Sequence, residues 1–150
     1  MVDEVSRAAV ARQPVPQFET TAWAPPARPL AASRVAIVTT AGLYREGDQG
    51  WSRGDQSFRV LPGGESEIRL GHQSANFDRS GFLADVNVVY PVDRLAEMVA
   101  EGVIGSVGAH NLSFMGAQGA TLDTIRLDSG PAAAKLLRDD GVDVVVLTPV

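Results

Sequence analysis

Residues 142–147 read Val-Asp-Val-Val-Val-Leu, and residues 35–40 read Val-Ala-Ile-Val-Thr-Thr. These two short, nearly unbroken apolar runs constrain the fold more than any other feature. A strand without a polar face has to be covered on both sides, as happens inside a parallel sheet whose crossover helices lie against its two faces. The intervening chain supplies such helices. Pro91 suits a first helical turn, Val92, Leu95, Met98 and Val99 recur at helical spacing, and Gly102 is placed as a stop. Ser129 and Pro131 open a second helix with Ala133, Leu136 and Leu137 on its inner face and Gly141 as its end. Strands alternating with helices predict an α/β fold with a mainly parallel sheet flanked by helices.

Other segments are read from weaker patterns. Ser57–Leu61 and Glu67–Leu70 alternate around Pro62-Gly63-Gly64, which suggests half-exposed strands and a hairpin. Val86–Tyr90 reads as a brief extended piece and Val103–Val107 as a strand. Residues 44–56, 71–85 and 110–119 read as polar loops. Residues 1–33 hold five of the nine prolines (Pro14, Pro16, Pro25, Pro26 and Pro29) and are expected to form an extended arm, pinned by Phe18 and Trp23. The domain proper then covers 34–150.

Composition removes several classes of function. Thirteen Lys+Arg against eighteen Asp+Glu give a net charge of −5, contrary to a nucleic-acid footprint. No apolar run is long enough to span a bilayer, and the first residues have no apolar signal region, so a soluble cytoplasmic protein is expected. Cysteine is absent, which leaves this stretch without a disulfide, a thiolate metal site or a thiol nucleophile. Gly102, Gly105 and Gly108 are spaced GxxGxxG after a helix, unlike a dinucleotide fingerprint, and neither a P-loop nor a GxSxG elbow occurs. Two distant histidines with scattered acids form no zinc pattern, so no metal is expected.

Parallel sheets place chemistry in loops at the carboxyl ends of their strands. Those loops are expected near Thr39–Gly42, near His110 and at Thr148–Val150. The last of these is unusual, because an apolar strand is followed by only three residues. Thr148-Pro149 reads as the opening of an active-site loop, and the domain reads as incomplete.

The stretch HQSANFDRSGFLADVNVVYPVDRLAEMVAEGVIGSVGAHNLSFMG, His72 to Gly116, resembles the glycine/sarcosine/betaine/D-proline reductase selenoprotein B family, most closely its aerobic-bacterial branch. The blocks Ser33–Gly42, Asp140–Asp143 and Leu147–Val150 agree with it in order and spacing. The resemblance implies a selenocysteine or cysteine directly after Val150, at a position where the codon UGA would ordinarily be read as a stop. It also implies partners: a subunit carrying a pyruvoyl group that activates a small amine or amino-acid-like substrate, and a dithiol electron donor. A selenolate or thiolate would displace nitrogen from the α-carbon, and the dithiol would reduce the adduct, giving net reductive C–N cleavage. No cofactor is implied within residues 1–150 themselves.

His72 and His110 are the candidate catalytic acid/base groups, since an imidazole titrates near neutrality. Asp78, Asp85, Asn87, Ser113 and Thr148 are candidates for binding substrate or forming the loops, and Asp and Asn favour turns. A second class of function remains open beside the reductase subunit: a non-catalytic α/β module that binds a small ligand or a partner.

Overall fold

The computed structural model describes residues 4–5, 7–8, 11–12, 24–63, 68–119 and 121–150. Phe18 and Trp23, the expected pins of the arm, lie outside the described residues. In chain order the elements are β1 (Arg34–Thr39), β2 (Leu43–Arg45), β3 (Phe58–Pro62), β4 (Ile68–Leu70), α1 (Ser80–Ala84), α2 (Val92–Ala100), β5 (Ser106–Val107), β6 (His110–Phe114), α3 (Gly130–Asp139) and β7 (Val144–Thr148).

β1 is the centre of a five-stranded, mostly parallel sheet. On one side it pairs in parallel first with β5 and then with β6. On the other it pairs in parallel with β7 over the whole register from Val35↔Val144 to Thr39↔Thr148. β3 closes the far side, antiparallel to β6. Successive side chains of a strand face opposite ways, so β1 feeds two cores. Val35 and Ile37 pack with Val92 and Leu95 of α2 and with Tyr90, while Ala36 packs with Leu112 and with Ala133 and Leu137 of α3. Both helices end as their sequences predict: Gly102 and Gly141 follow them with φ of 72° and 73°, a left-handed conformation that closes the last turn. Among the described residues no helix is long and apolar enough to cross a membrane.

Several expectations need correction. The loop read at 71–85 contains the short helix α1, the loop read at 44–56 begins inside β2, and the helix read from Ser129 is preceded without a break by a π-helical turn, Ile125–Ser129. The hairpin does not form: β3 pairs with β6, and β4 pairs with β2 in a separate two-stranded sheet. The register of short alternating strands is set by their tertiary partners, not by the turn between them. Residues 86–88 form a 3-10 turn and not a strand, because the Asp85 carboxylate accepts the Asn87 N–H at 2.9 Å and curls the chain.

Residues 110–114 are a strand rather than loop. The segment hides its period because Asn111 and Ser113, both 0% exposed, are polar residues inside the protein. Asn111 accepts the Ile37 N–H at 2.7 Å and donates to the Tyr90 hydroxyl, which in turn donates to the Pro62 carbonyl. That burial pushes the Tyr90 pKa up to about 12, against the opposing bond from Asn111. Finally, β7 lies at an edge among the described residues. Its Val144 and Val146 pack on the α2 side, while Val145 and Leu147 of the other face remain exposed.

Candidate functional site

The sheet has two chemically different ends. At the amino ends of its strands, Asp140 receives the Arg34 guanidinium at 2.6 Å and the His110 backbone N–H at 3.1 Å. Asp143 accepts the Arg34 backbone N–H and pairs with Arg28 at 3.1 Å. Burial opposes ionisation of Asp140, but the His110 amide and the Arg34 charge outweigh it and hold its pKa below the ordinary value. His110 sits here, half-exposed, with Nδ1 3.5 Å from the same carboxylate. It begins β6 rather than following it, so it stands at the end of the sheet opposite to the one where parallel folds bind ligands.

At the carboxyl ends three segments meet: 39–42 after β1, 114–116 after β6, and 148–150 after β7. The Thr40 N–H bonds the Thr148 carbonyl at 3.1 Å, and the Gly116 N–H bonds the Thr40 carbonyl at 2.8 Å. The Thr40 hydroxyl accepts the Val150 N–H at 2.9 Å and donates to the Val150 carbonyl at 3.3 Å. One side chain thus clamps residue 150 from both polar groups of its backbone. Thr148 lies directly beneath: its hydroxyl donates to the Val89 carbonyl at 3.0 Å.

His72 borders this junction. It is 5% exposed, and its ring stacks on Phe77 with centroids 4.4 Å apart. The Ser74 N–H donates to Nδ1 at 3.2 Å, and the Arg79 guanidinium donates to the His72 carbonyl at 2.8 Å. Burial, and then the nearby Arg79 charge, push the imidazole pKa below 6.5. A cleft of about 440 Å³ opens between His72, Ser74, Asn76 and Asp78 on one wall and Gly116 and Val150 on the other. A second, more apolar cleft of about 360 Å³, lined by Phe114, Met115, Leu122 and Ile125 among others, shares Gly116 and Val150 with the first.

Gly116 is the partition. A Cβ at this position would lie 2.7 Å from the Val150 carbonyl oxygen, 2.9 Å from that of Thr40 and 3.0 Å from His72 Nε2. No side chain fits without displacing backbone.

The structure therefore brings His72 and Asp78 to one cleft beside the end of β7, with Thr148 at its root. It leaves His110 at the opposite edge. Ser113 is committed to the fold, its hydroxyl accepting the Leu43 N–H at 2.7 Å. Asp85 and Asn87 build the junction between α1 and α2: Asn87 donates to the Asp85 and Asp93 carboxylates and accepts the Asp93 N–H, which caps α2. Asp78 accepts the Ser80 N–H at the start of α1, an exposed bond that, with the Ser80 hydroxyl, lowers its pKa. Thr40 and Gly116 escape sequence reasoning as individual site residues. Their only signal is position, directly after strands at the carboxyl edge. Among the described residues no group of three His, Asp or Glu side chains is arranged to hold a metal ion.

Comparison with known proteins bears on what this edge is for. The model of the glycine/sarcosine/betaine reductase selenoprotein B family matches residues 7–150. The chain belongs to that family. It is 33% identical over 135 residues to the D-proline reductase subunit gamma of Acetoanaerobium sticklandii, covering 89% of this chain and 55% of that protein. It is 27% identical over 141 residues to the sarcosine reductase complex component B subunit beta of Peptoclostridium acidaminophilum, and 28% identical over 141 residues to the glycine reductase complex component B subunit gamma of Symbiobacterium thermophilum. Each of these two matches covers 90% of this chain and 32% of the relative. The chain thus spans about half the length of the first relative and about a third of the other two. No solved structure gives a significant match.

Proposed function

We propose that these residues form part of a reductase subunit that carries out reductive C–N cleavage, with a selenocysteine or cysteine directly after Val150 as its nucleophile. The observation that supports this reading is the clamp on Val150. In a chain of this family, residue 150 is fixed by Thr40 at the carboxyl edge of the sheet, beside a cleft of about 440 Å³ bordered by His72. A residue attached there would start from a rigid, backbone-bonded base, which is what holding a nucleophile to within a fraction of an ångström of its target requires.

In this reading each segment has a task. Thr39 and Thr40 fix the end of β7, Gly116 keeps the approach clear of side chains, and the cleft takes a small amine or amino-acid-like substrate. The wider assembly is part of the same proposal. The named relatives are subunits or components of reductases, so a partner subunit is expected. A pyruvoyl group on that partner would supply electrophilic activation of the substrate nitrogen. A dithiol donor would provide the two electrons, leaving as a disulfide. The reading also assigns the chain to the cytoplasm, where a reduced thiol or selenol persists.

The test is the gene itself. The codon after Val150 should be UGA or a cysteine codon followed by an open frame, and the native protein should contain selenium in the first case. A UAA or UAG codon there removes the nucleophile. The non-catalytic ligand- or partner-binding module then becomes the better account.

A further inference from the structure

β7 is open to solvent in two ways. Its backbone pairs with β1 on one side, and among the described residues no strand takes the other edge. One of its faces is also uncovered: Val145 is 38% and Leu147 70% exposed, while Val144 and Val146 pack on the α2 side. Val145 and Leu147 line a groove of about 490 Å³ whose opposite wall is α3, with Ala134, Leu137 and Arg138. At its carboxyl end the groove meets the apolar cleft beside Gly116 and Val150, since Phe114 and Ile125 line both. An uncharged, apolar strand edge is a hazard that folded proteins cover.

The handedness of the fold says what kind of element fits there. The chain leaves β1 and returns in parallel at β5 through α2, which lies on the Val35 and Ile37 face. It leaves β6 and returns in parallel at β7, on the other side of β1, through α3 on the Ala36 face. Opposite directions on opposite faces are the same hand, and parallel crossovers are right-handed in about 98% of cases. A chain continuing past β7 has two ways to go. Back toward β3, its helix would fall on the α2 face, where Val144 and Val146 are already packed. Outward beyond β7, its helix would fall on the α3 face, over Val145 and Leu147, and its strand would take the free edge.

We propose that the groove between α3 and β7 is the seat of the chain segment that follows Val150: a crossover helix alongside α3, with its apolar stripe on Val145 and Leu147, leading to a strand parallel to β7 on its free edge. The inference rests on the reductase reading only in that the chain continues past residue 150; the relatives named above are all longer than the stretch they share with it. Val150, where the segment begins, lines the cleft into which the groove opens. One continuation meets both exposures, the apolar face and the unpaired edge.

The test is made on the longer chain, with serine at the position proposed for the selenocysteine or cysteine. Residues 1–150 contain no cysteine, so introduced thiols there are the reporters. Leu147→Cys and Ala134→Cys place one on each wall of the groove, and Leu83→Cys, at a 79% exposed position outside it, is the reference. Labelling with iodoacetamide, read peptide by peptide by mass spectrometry, should be at least about tenfold slower at 147 and 134 than at 83. Without these thiols, the β7 amides that face away from β1 should be protected from exchange. Equal labelling at the three positions, or fast exchange along that edge, overturns the proposal. So does slowing that vanishes on dilution, which assigns the groove to a second copy of the chain. An open frame past Val150 that starts with neither UGA nor a cysteine codon would end the reductase reading, while slow labelling in the groove would still uphold the covering segment. A UGA or cysteine codon with a freely labelled groove does the reverse, and a UAA or UAG codon removes both.

Discussion

The two ends of the sheet are built from opposite materials. At the amino edge charges are matched: Arg34 with Asp140, Arg28 with Asp143, and the amides of residues 34 and 110 on the same two carboxylates. At the carboxyl edge the strand ends are joined by backbone groups and threonine hydroxyls, beside the buried imidazole of His72. The amino edge is tied by ion pairs between side chains, while the carboxyl edge is tied through backbone groups around a junction without a side chain. Parallel sheets put ligands at their carboxyl ends in general. Here the ion pairs that tie strand to strand lie at the opposite end, around Asp140 and Asp143.

The contrast can be broken from either side. Asp140→Ala should have the largest effect on stability, lowering it by about 3 kcal/mol in urea unfolding, because it strands Arg34 and the His110 amide beside a vacant position. It should leave the carboxyl-edge cleft intact, read as unchanged amide exchange at Val150. Gly116→Ala should cost less, about 1–2 kcal/mol from overpacking against two carbonyl oxygens. Its damage should be local, read as faster amide exchange at Val150. Thr40→Val should cost about 1 kcal/mol and raise exchange at Val150 while the central strand stays protected.

Acid separates the edges without mutation. His72 has a lowered pKa, so the unfolded chain binds its proton more readily, and the stability this represents is present above pH 6.5 and lost as pH falls below it. Asp140 is also lowered, but as a carboxylate its contribution is intact above 3.8 and lost only as pH falls further, through its folded value. Urea midpoints followed from pH 8 to pH 3 should therefore decline in two stages. His72→Gln should remove the first stage and leave the second, whereas equal flattening of both would show that the edges do not titrate independently.

Much of the frame is legible in the sequence. The cores of β1 and β7 and the inner faces of α2 and α3 are written in apolar side chains, and apolar periodicity is what a sequence displays most directly. β6 is hidden for the converse reason. Asn111 and Ser113 face inward to satisfy the Ile37 and Leu43 amides, and a polar residue that serves another segment's backbone looks like loop until that segment is in place. The same holds at the site. His72 is visible because imidazole has chemistry of its own. Thr40 matters through a clamp on a residue 110 positions away, and Gly116 through the absence of a side chain. Neither role has a local pattern. The false hairpin at β3 and β4 shows the limit from the other direction, since a sound turn signal lost to better partners elsewhere.

The pairing of β1 also sets a timetable. Its partner β7 lies more than a hundred residues downstream, so one whole row of β1 backbone groups has nothing to bond until Val144–Thr148 has been made. At ribosomal speeds of 5–20 residues per second that wait is roughly 5–20 s, far longer than a local helix or hairpin needs to form. During synthesis the central strand of the sheet therefore has one open edge, a template that another chain could pair with until β7 arrives.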